Sequence, residues 1–125
     1  MTTSLFFDGG LRQNKMTYGW IVLNENIPVA SGYGYYTNKN TTVNMAEYHA
    51  LSAGLEYLVQ NNIKDINIYG DSQVVCYQLT GLSGTKSKHL KEKQKEIKEM
   101  LSIIERYKII WVPRKNNIAD RLTRF

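Results

Sequence analysis

Four acidic residues, Asp8, Glu47, Asp71 and Asp120, lie far apart in the chain, and each stands where a regular element is expected to begin or end. Carboxylates brought together repel one another, so some must keep protons unless cations stand among them. Oxygen-only donors favour a hard ion such as Mg2+. His49 and His89 have no partners at metal-ligand spacing, which speaks against zinc. Two Mg2+ ions about 3.5–4 Å apart can stabilise both the attacking and the leaving oxygen of an in-line phosphoryl displacement. That is the chemistry a four-acid cluster could do.

The elements that must position these acids follow from the pattern of residue types. Ser4 to Phe7 is a short apolar run ahead of Asp8-Gly9-Gly10, which reads as a strand ending in a turn. Tyr18 to Leu23 and Ile27 to Thr37 read as two further strands, the last with Gly32 and Gly34 and a possible bulge. From Met45 to Val59 the period changes: Tyr48, Leu51, Leu55, Leu58 and Val59 share a helical face, and Thr42 can cap it. Asp65 to Tyr69 is a fourth strand and Gln73 to Leu79 a short helix. Lys88 to Tyr107 reads as a long amphipathic helix, Lys108 to Val112 as a fifth strand, and Asn117 to Thr123 as a terminal helical turn or two.

The order βββαβααβα implies an α/β domain, a five-stranded mixed sheet flanked by helices. Three antiparallel strands followed by a right-handed crossover make strand four parallel to strand one. Asp8 and Asp71 then share one rim, and Glu47 lies in the first turn of the helix that starts there. Asp120 joins them if strand five runs the same way. This is the carboxyl edge, where open α/β sheets place their sites. Taken singly, Asp8 suits a turn, Glu47 a helix start and Asp71 a helix cap. None of those readings accounts for the convergence.

Composition agrees with one globular domain over residues 1–125: the chain is 42% hydrophobic and 22% charged. No apolar run approaches the roughly 20 residues of a membrane span, and the N-terminus lacks the basic-then-apolar pattern of a signal peptide. A cytoplasmic monomer without membrane partners is expected. The single Cys76 reads as a small buried hydrophobe. A net charge of +5 points to a polyanionic partner, nucleic acid first.

Phe7-Asp8-Gly9-Gly10, Asn44-Met45-Ala46-Glu47-Tyr48, Gly70-Asp71-Ser72-Gln73-Val74-Val75 and Asn117-Ile118-Ala119-Asp120-Arg121-Leu122 resemble the four motifs of type 1 ribonuclease H. They occur in the family's order and span essentially the whole chain. The resemblance implies an RNase H-like fold and an endonuclease cutting the RNA strand of RNA/DNA hybrids with two Mg2+ ions, Mn2+ being a substitute. It implies Asp8, Glu47, Asp71 and Asp120 as the catalytic metal ligands, with Asp8 shared by both ions. Glu47 and Asp71 would favour one ion and Asp120 the other. Water attacks the phosphorus in line, leaving a 5′-phosphate and a 3′-hydroxyl. Asn14, Asn44 and Gln73 match positions that contact the minor groove, and Gly10 joins this substrate-binding set. Amide side chains both donate and accept, so they can read a 2′-hydroxyl.

The chain also departs from the family pattern. Val43 replaces the first of two adjacent amides, which removes one groove contact. Arg114 stands nearest the usual loop histidine; a guanidinium can hold a phosphate but cannot shuttle a proton near neutral pH. Either Asn116 or Asn117 can take the asparagine position that follows. Five residues come after Asp120, where relatives continue a helix, so Asp120 is expected to be less firmly held. The large basic protrusion of some relatives is missing. Lys86 and Lys88, beside a glycine-rich turn, are candidate contacts to DNA-strand phosphates, whereas Lys93 onward reads as a solvated face with i,i+4 pairs. Tyr33, Tyr35 and Tyr36 are expected to pack in the core or on the sheet. Two alternatives remain: a hybrid-binding module with weak or no catalysis, and a two-metal nuclease acting on duplex RNA.

Overall fold

A computed structural model describes residues 2–13, 15–37, 42–81 and 87–124. Five strands, β1 (Thr3–Arg12), β2 (Lys15–Asn24), β3 (Ile27–Tyr36), β4 (Asp65–Gly70) and β5 (Arg106–Trp111), form one sheet in the order β3-β2-β1-β4-β5. The first three are antiparallel, and β4 runs parallel to both β1 and β5. Helices α1 (Val43–Gln60), α2 (Gln73–Leu79) and α3 (Lys88–Ile104) complete the expected mixed sheet with flanking helices.

Strand alternation puts Leu5 and Phe7 into the core with Ile66 and Ile68 of β4. Against them lie Tyr48, Leu51, Leu55 and Leu58 of α1 and Ile97, Leu101 and Ile104 of α3, the stripes that helical periodicity predicts. Thr42 caps α1 as expected, its hydroxyl accepting from the Met45 N–H at 3.1 Å. A buried polar knot joins the three helices: Gln94 donates to the Tyr48 hydroxyl at 2.7 Å, and that hydroxyl donates to Gln78. It fixes α1 one residue beyond Glu47. Cys76 is buried, as expected.

Several expectations need correction. Asp8-Gly9-Gly10 is not a turn: β1 continues through it, paired with β2 as far as Arg12↔Lys15. The glycines serve close approach. A Cβ on Gly9 would lie 2.3 Å from the Ala46 carbonyl carbon and 2.4 Å from the Glu47 nitrogen, so the bare backbone is what admits the first turn of α1. Helix α3 stops at Ile104, three residues early, because Glu105 takes a φ of 83° and Arg106 joins the sheet beside Asp65. Sheet pairing here overrides the helical preference of a charged segment. The expected terminal helical turn forms as a 3-10 turn over Asp120–Thr123, preceded by a second over Arg114–Asn116 that the residue pattern did not show. Tyr33 and Tyr35 do not pack inward; they are 62% and 56% exposed on the edge strand, while Tyr36 packs against His49. Asn14 and Lys86 lie outside the described residues.

Candidate active site

Three of the acids meet on the rim. Asp8, Glu47 and Asp71 each offer a carboxylate oxygen, and these oxygens all lie within 4.8 Å of one another. Asp8 sits two residues past the last β1–β4 pair, Phe6↔Tyr69, and β4 itself ends at Gly70. Glu47 is brought in by the approach of α1 over Gly9. Asp71 follows β4 directly. Ser72, not Asp71, caps α2, its hydroxyl accepting from the Val75 N–H at 3.2 Å, so the Asp71 carboxylate is free of that duty.

Asp71 is held instead by Asn117, whose side-chain amide donates to its Oδ2 at 3.0 Å and to the Phe7 carbonyl at 2.9 Å. The Asn117 oxygen accepts from the Ala119 N–H at 3.1 Å, fixing the C-terminal segment in turn. Asn117, which makes these bonds, is 4% exposed, whereas Asn116 is exposed. The Trp111 indole donates to the Asp71 carbonyl at 3.0 Å, a second tether.

Burial and mutual repulsion shape the protonation of the cluster. Burial, with the charges of Asp71 and Asp120, raises Asp8 from 3.8 to about 7. Burial, reinforced by Asp8, raises Glu47 well above its ordinary value, and a proton on Glu47 is shared toward Asp8. Asp71 is raised by burial, against the opposing pull of its Asn117 bond and of Arg114. Glu47 Oε2 is buried with no hydrogen-bond partner. A buried carboxylate oxygen without a donor, set beside two further carboxylates, suits a cation site, since oxygen-only ligation favours a hard divalent ion.

Asp120 does not join the group of three. It opens the second 3-10 turn beside Asp8, whose pKa it raises, and its Oδ2 is engaged by Arg124 at 2.6 Å. The segment that carries it is nonetheless seated: Ala119 and Thr123 are buried, and Leu122 lies where a Cβ on Gly19 would fall, 2.6 Å away. The Asp120–Arg124 pair has the i,i+4 spacing that sequence can show, whereas the packing on Gly19 left no trace in the local pattern of residue types.

Of the other anticipated site residues, Gly10 lies two residues past Asp8 on β1 and lines a cavity with it. Asn44 is the second residue of α1, three before Glu47, and Gln73 opens α2 exposed, two after Asp71. Arg114 is exposed in the first 3-10 turn and acts on Asp71. Lys88 is exposed at the start of α3, with no described contact to the acids. Lys93 pairs with Glu96 at 3.5 Å, in keeping with a solvated helix face.

A mixed sheet in the order β3-β2-β1-β4-β5 with carboxylates on its rim is the architecture of the RNase H-like class. The profile of the reverse transcriptase-like family matches residues 6–125. Ribonuclease HI of Halobacterium salinarum is 34% identical over 114 residues, 90% of this chain and 57% of that protein. The bifunctional protein Rv2228c of Mycobacterium tuberculosis is 30% identical over 92% of this chain but 32% of its own length. The chain thus spans about half or less of these curated relatives.

Solved structures agree. RNase H1 of H. salinarum superposes with a TM-score of 0.89 at 35% identity, covering 98% of this chain and 94% of that one. The N-terminal RNase H domain of Rv2228c gives 0.90 at 29%, covering 98% and 90%. LC11-RNase H1, isolated from compost and solved in complex with an RNA/DNA hybrid, gives 0.87 at 26%, covering 97% and 93%. The chain belongs to the type 1 ribonuclease H family.

Proposed function

We propose that this chain is an endoribonuclease that hydrolyses the RNA strand of RNA/DNA hybrids, leaving 5′-phosphate and 3′-hydroxyl ends. The observation that carries the reading is the convergence of Asp8, Glu47 and Asp71 with Glu47 Oε2 buried and unsatisfied. The donor set fits divalent cations, Mg2+ first: Asp8, Glu47 and Asp71 would hold one and Asp8 with Asp120 a second. Such ions supply charge neutralisation at the scissile phosphate and activate water. Asn117 keeps Asp71 oriented, and Arg114 would meet a phosphate oxygen. The protons retained by Asp8 and Glu47 leave when a cation binds, because only the ionised carboxylates are ligands. Asn44 and Gln73, flanking the acids, offer amides to a minor groove and its 2′-hydroxyls.

The substrate reading is supported by the net charge of +5 and by the relative solved with an RNA/DNA hybrid. The test is cleavage of a labelled hybrid in Mg2+ beside duplex RNA, with Asp71→Asn as control. Cutting of the hybrid by the unmodified chain alone is expected; equal cutting by both proteins, or none by either, sinks the reading.

One observation favours the second reading, a hybrid-binding module of weak activity. Arg124 occupies one oxygen of Asp120, the fourth ligand. That reading expects salt-dependent hybrid binding without metal-dependent cutting.

A further inference from the structure

On the Asp120 side of the acids, a cavity of about 300 Å3 opens onto Asp8 and Asp120 and is lined by Arg12, Arg114 and Arg124. The three arginines come from separate places: the end of β1, the first 3-10 turn and the residue after the second. Only Arg124 is paired, with Asp120; Arg12 and Arg114 make no ion pair among the described residues. Simple neutralisation of the nearby acids therefore does not account for Arg12. At the edge of the cavity Thr17 is 3% exposed, its hydroxyl buried without a hydrogen-bond partner, and a Cβ on Gly10 would press on it at 3.1 Å. The basic surface continues past Arg12 to Lys15, where a second hollow of about 320 Å3 adjoins the first through Arg12 and Thr17.

We propose that the arginine-lined cavity is a phosphate subsite for the nucleic-acid backbone, and that Arg12 is its unassigned ligand. The inference rests on the reading of the acids as a phosphodiester-cleaving centre. Guanidinium forks match the paired oxygens of a phosphodiester, and an unpaired, solvent-facing arginine has its donors free for them. Because the cavity opens directly onto Asp8 and Asp120, the phosphate it holds belongs to the nucleotide next to the one being cut, on the same strand. Arg12 and Arg114 would then set which linkage is presented to the acids.

The test has two arms. In the first, hybrid affinity is measured against salt for the unmodified chain and Arg12→Gln, an exposed position whose substitution should leave the melting temperature unchanged. The variant should bind about tenfold more weakly at low salt, and its log–log salt slope should be smaller by about one. In the second, each hybrid carries one uncharged methylphosphonate in the RNA strand. The unmodified chain should lose about tenfold in cutting at the phosphate adjoining the neutral one, on one side only, and Arg12→Gln should show no such sensitivity. An unchanged salt slope, or a variant as sensitive to the neutral linkage as the unmodified chain, overturns the proposal. Should neither protein cut any hybrid, the reading of the acids fails, while the salt slope still decides the role of Arg12.

Discussion

The Asn117 amide reaches the Asp71 carboxylate at 3.0 Å and the Phe7 carbonyl at 2.9 Å, so one side chain from the C-terminal segment clasps β1 to the residue after β4. Asn117→Ala leaves a buried carbonyl and a half-buried carboxylate without their donor, which costs about 1–3 kcal/mol of stability. Loosening Asp71 should also lower hybrid cleavage, by about 100-fold if the carboxylate shifts by an ångström. Asn117→Asp should be worse at neutral pH, since it sets a negative charge against Asp71. Thermal melts beside cleavage rates check this; a full-rate Asn117→Ala would show that the clasp does not orient Asp71.

Gly9 makes a harder demand. A methyl group there would meet the backbone of Ala46 and Glu47 at 2.3–2.7 Å, and backbone cannot step aside as a side-chain tip can. Gly9→Ala must push α1 off β1, carrying Glu47 away from Asp8. We expect a loss of about 3 kcal/mol or more in stability and no metal response in whatever folds. Gly81→Ala is the contrast, with nothing within 4 Å but a φ of +82°, so it should cost only the backbone strain, about 1 kcal/mol.

These two residues also mark how far the sequence was legible. The helical faces of α1 and α3, the α2 boundaries and the antiparallel pairing of the first three strands followed from periodicity and short connections, because each is written in neighbouring residues. The rim position of Asp8, Glu47 and Asp71 followed from topology. Gly9-Gly10 misled, because a turn and a close helix approach call for the same residue, and only tertiary structure separates them. Ending β1 at Phe7 hid Arg12, which a strand running to residue 12 carries to the cavity. Nothing local distinguishes Asn117 from Asn116, since burial of an irregular segment leaves no period. The end of α3 failed for a related reason: Arg106 and Tyr107 suit a helix until β4 offers them a partner.

The pKa of Asp8 has a consequence for stability without divalent cations. Its folded value of about 7 lies above its ordinary 3.8, so the folded form keeps a proton that the unfolded chain has released. Between those values stability falls as pH rises, since the unfolded state binds fewer protons. The effect is absent below about pH 3.8 and complete above about pH 7. Glu47, raised in the same direction, adds to it. In chelator, the melting temperature should decline from pH 5 to pH 7.5, with about 1–3 kcal/mol lost. Asp8→Asn should flatten that decline, and a rise in stability over the same interval would contradict the assigned direction.

Adding Mg2+ should reverse the penalty, and Glu47 is where the two effects can be separated. In the chelated protein Glu47 is a buried acid with Oε2 unsatisfied, so near neutral pH it stabilises neither the cluster nor the fold. Glu47→Gln keeps the shape of the protonated side chain and removes the cost of holding a proton that the unfolded chain has released. The chelated variant should therefore melt higher than the unmodified chain at pH 7.5. A cation binding only the folded state stabilises it by about 2.7 kcal/mol at 100 times its dissociation constant, so the unmodified chain should rise by roughly 8–10 °C in saturating Mg2+. The variant, with a neutral amide in place of one ligand, should rise far less, and the order of the two melting temperatures should invert. A Glu47→Gln protein that gains as much from Mg2+ as the unmodified chain would place the cation away from Glu47, on the Asp120 side of Asp8.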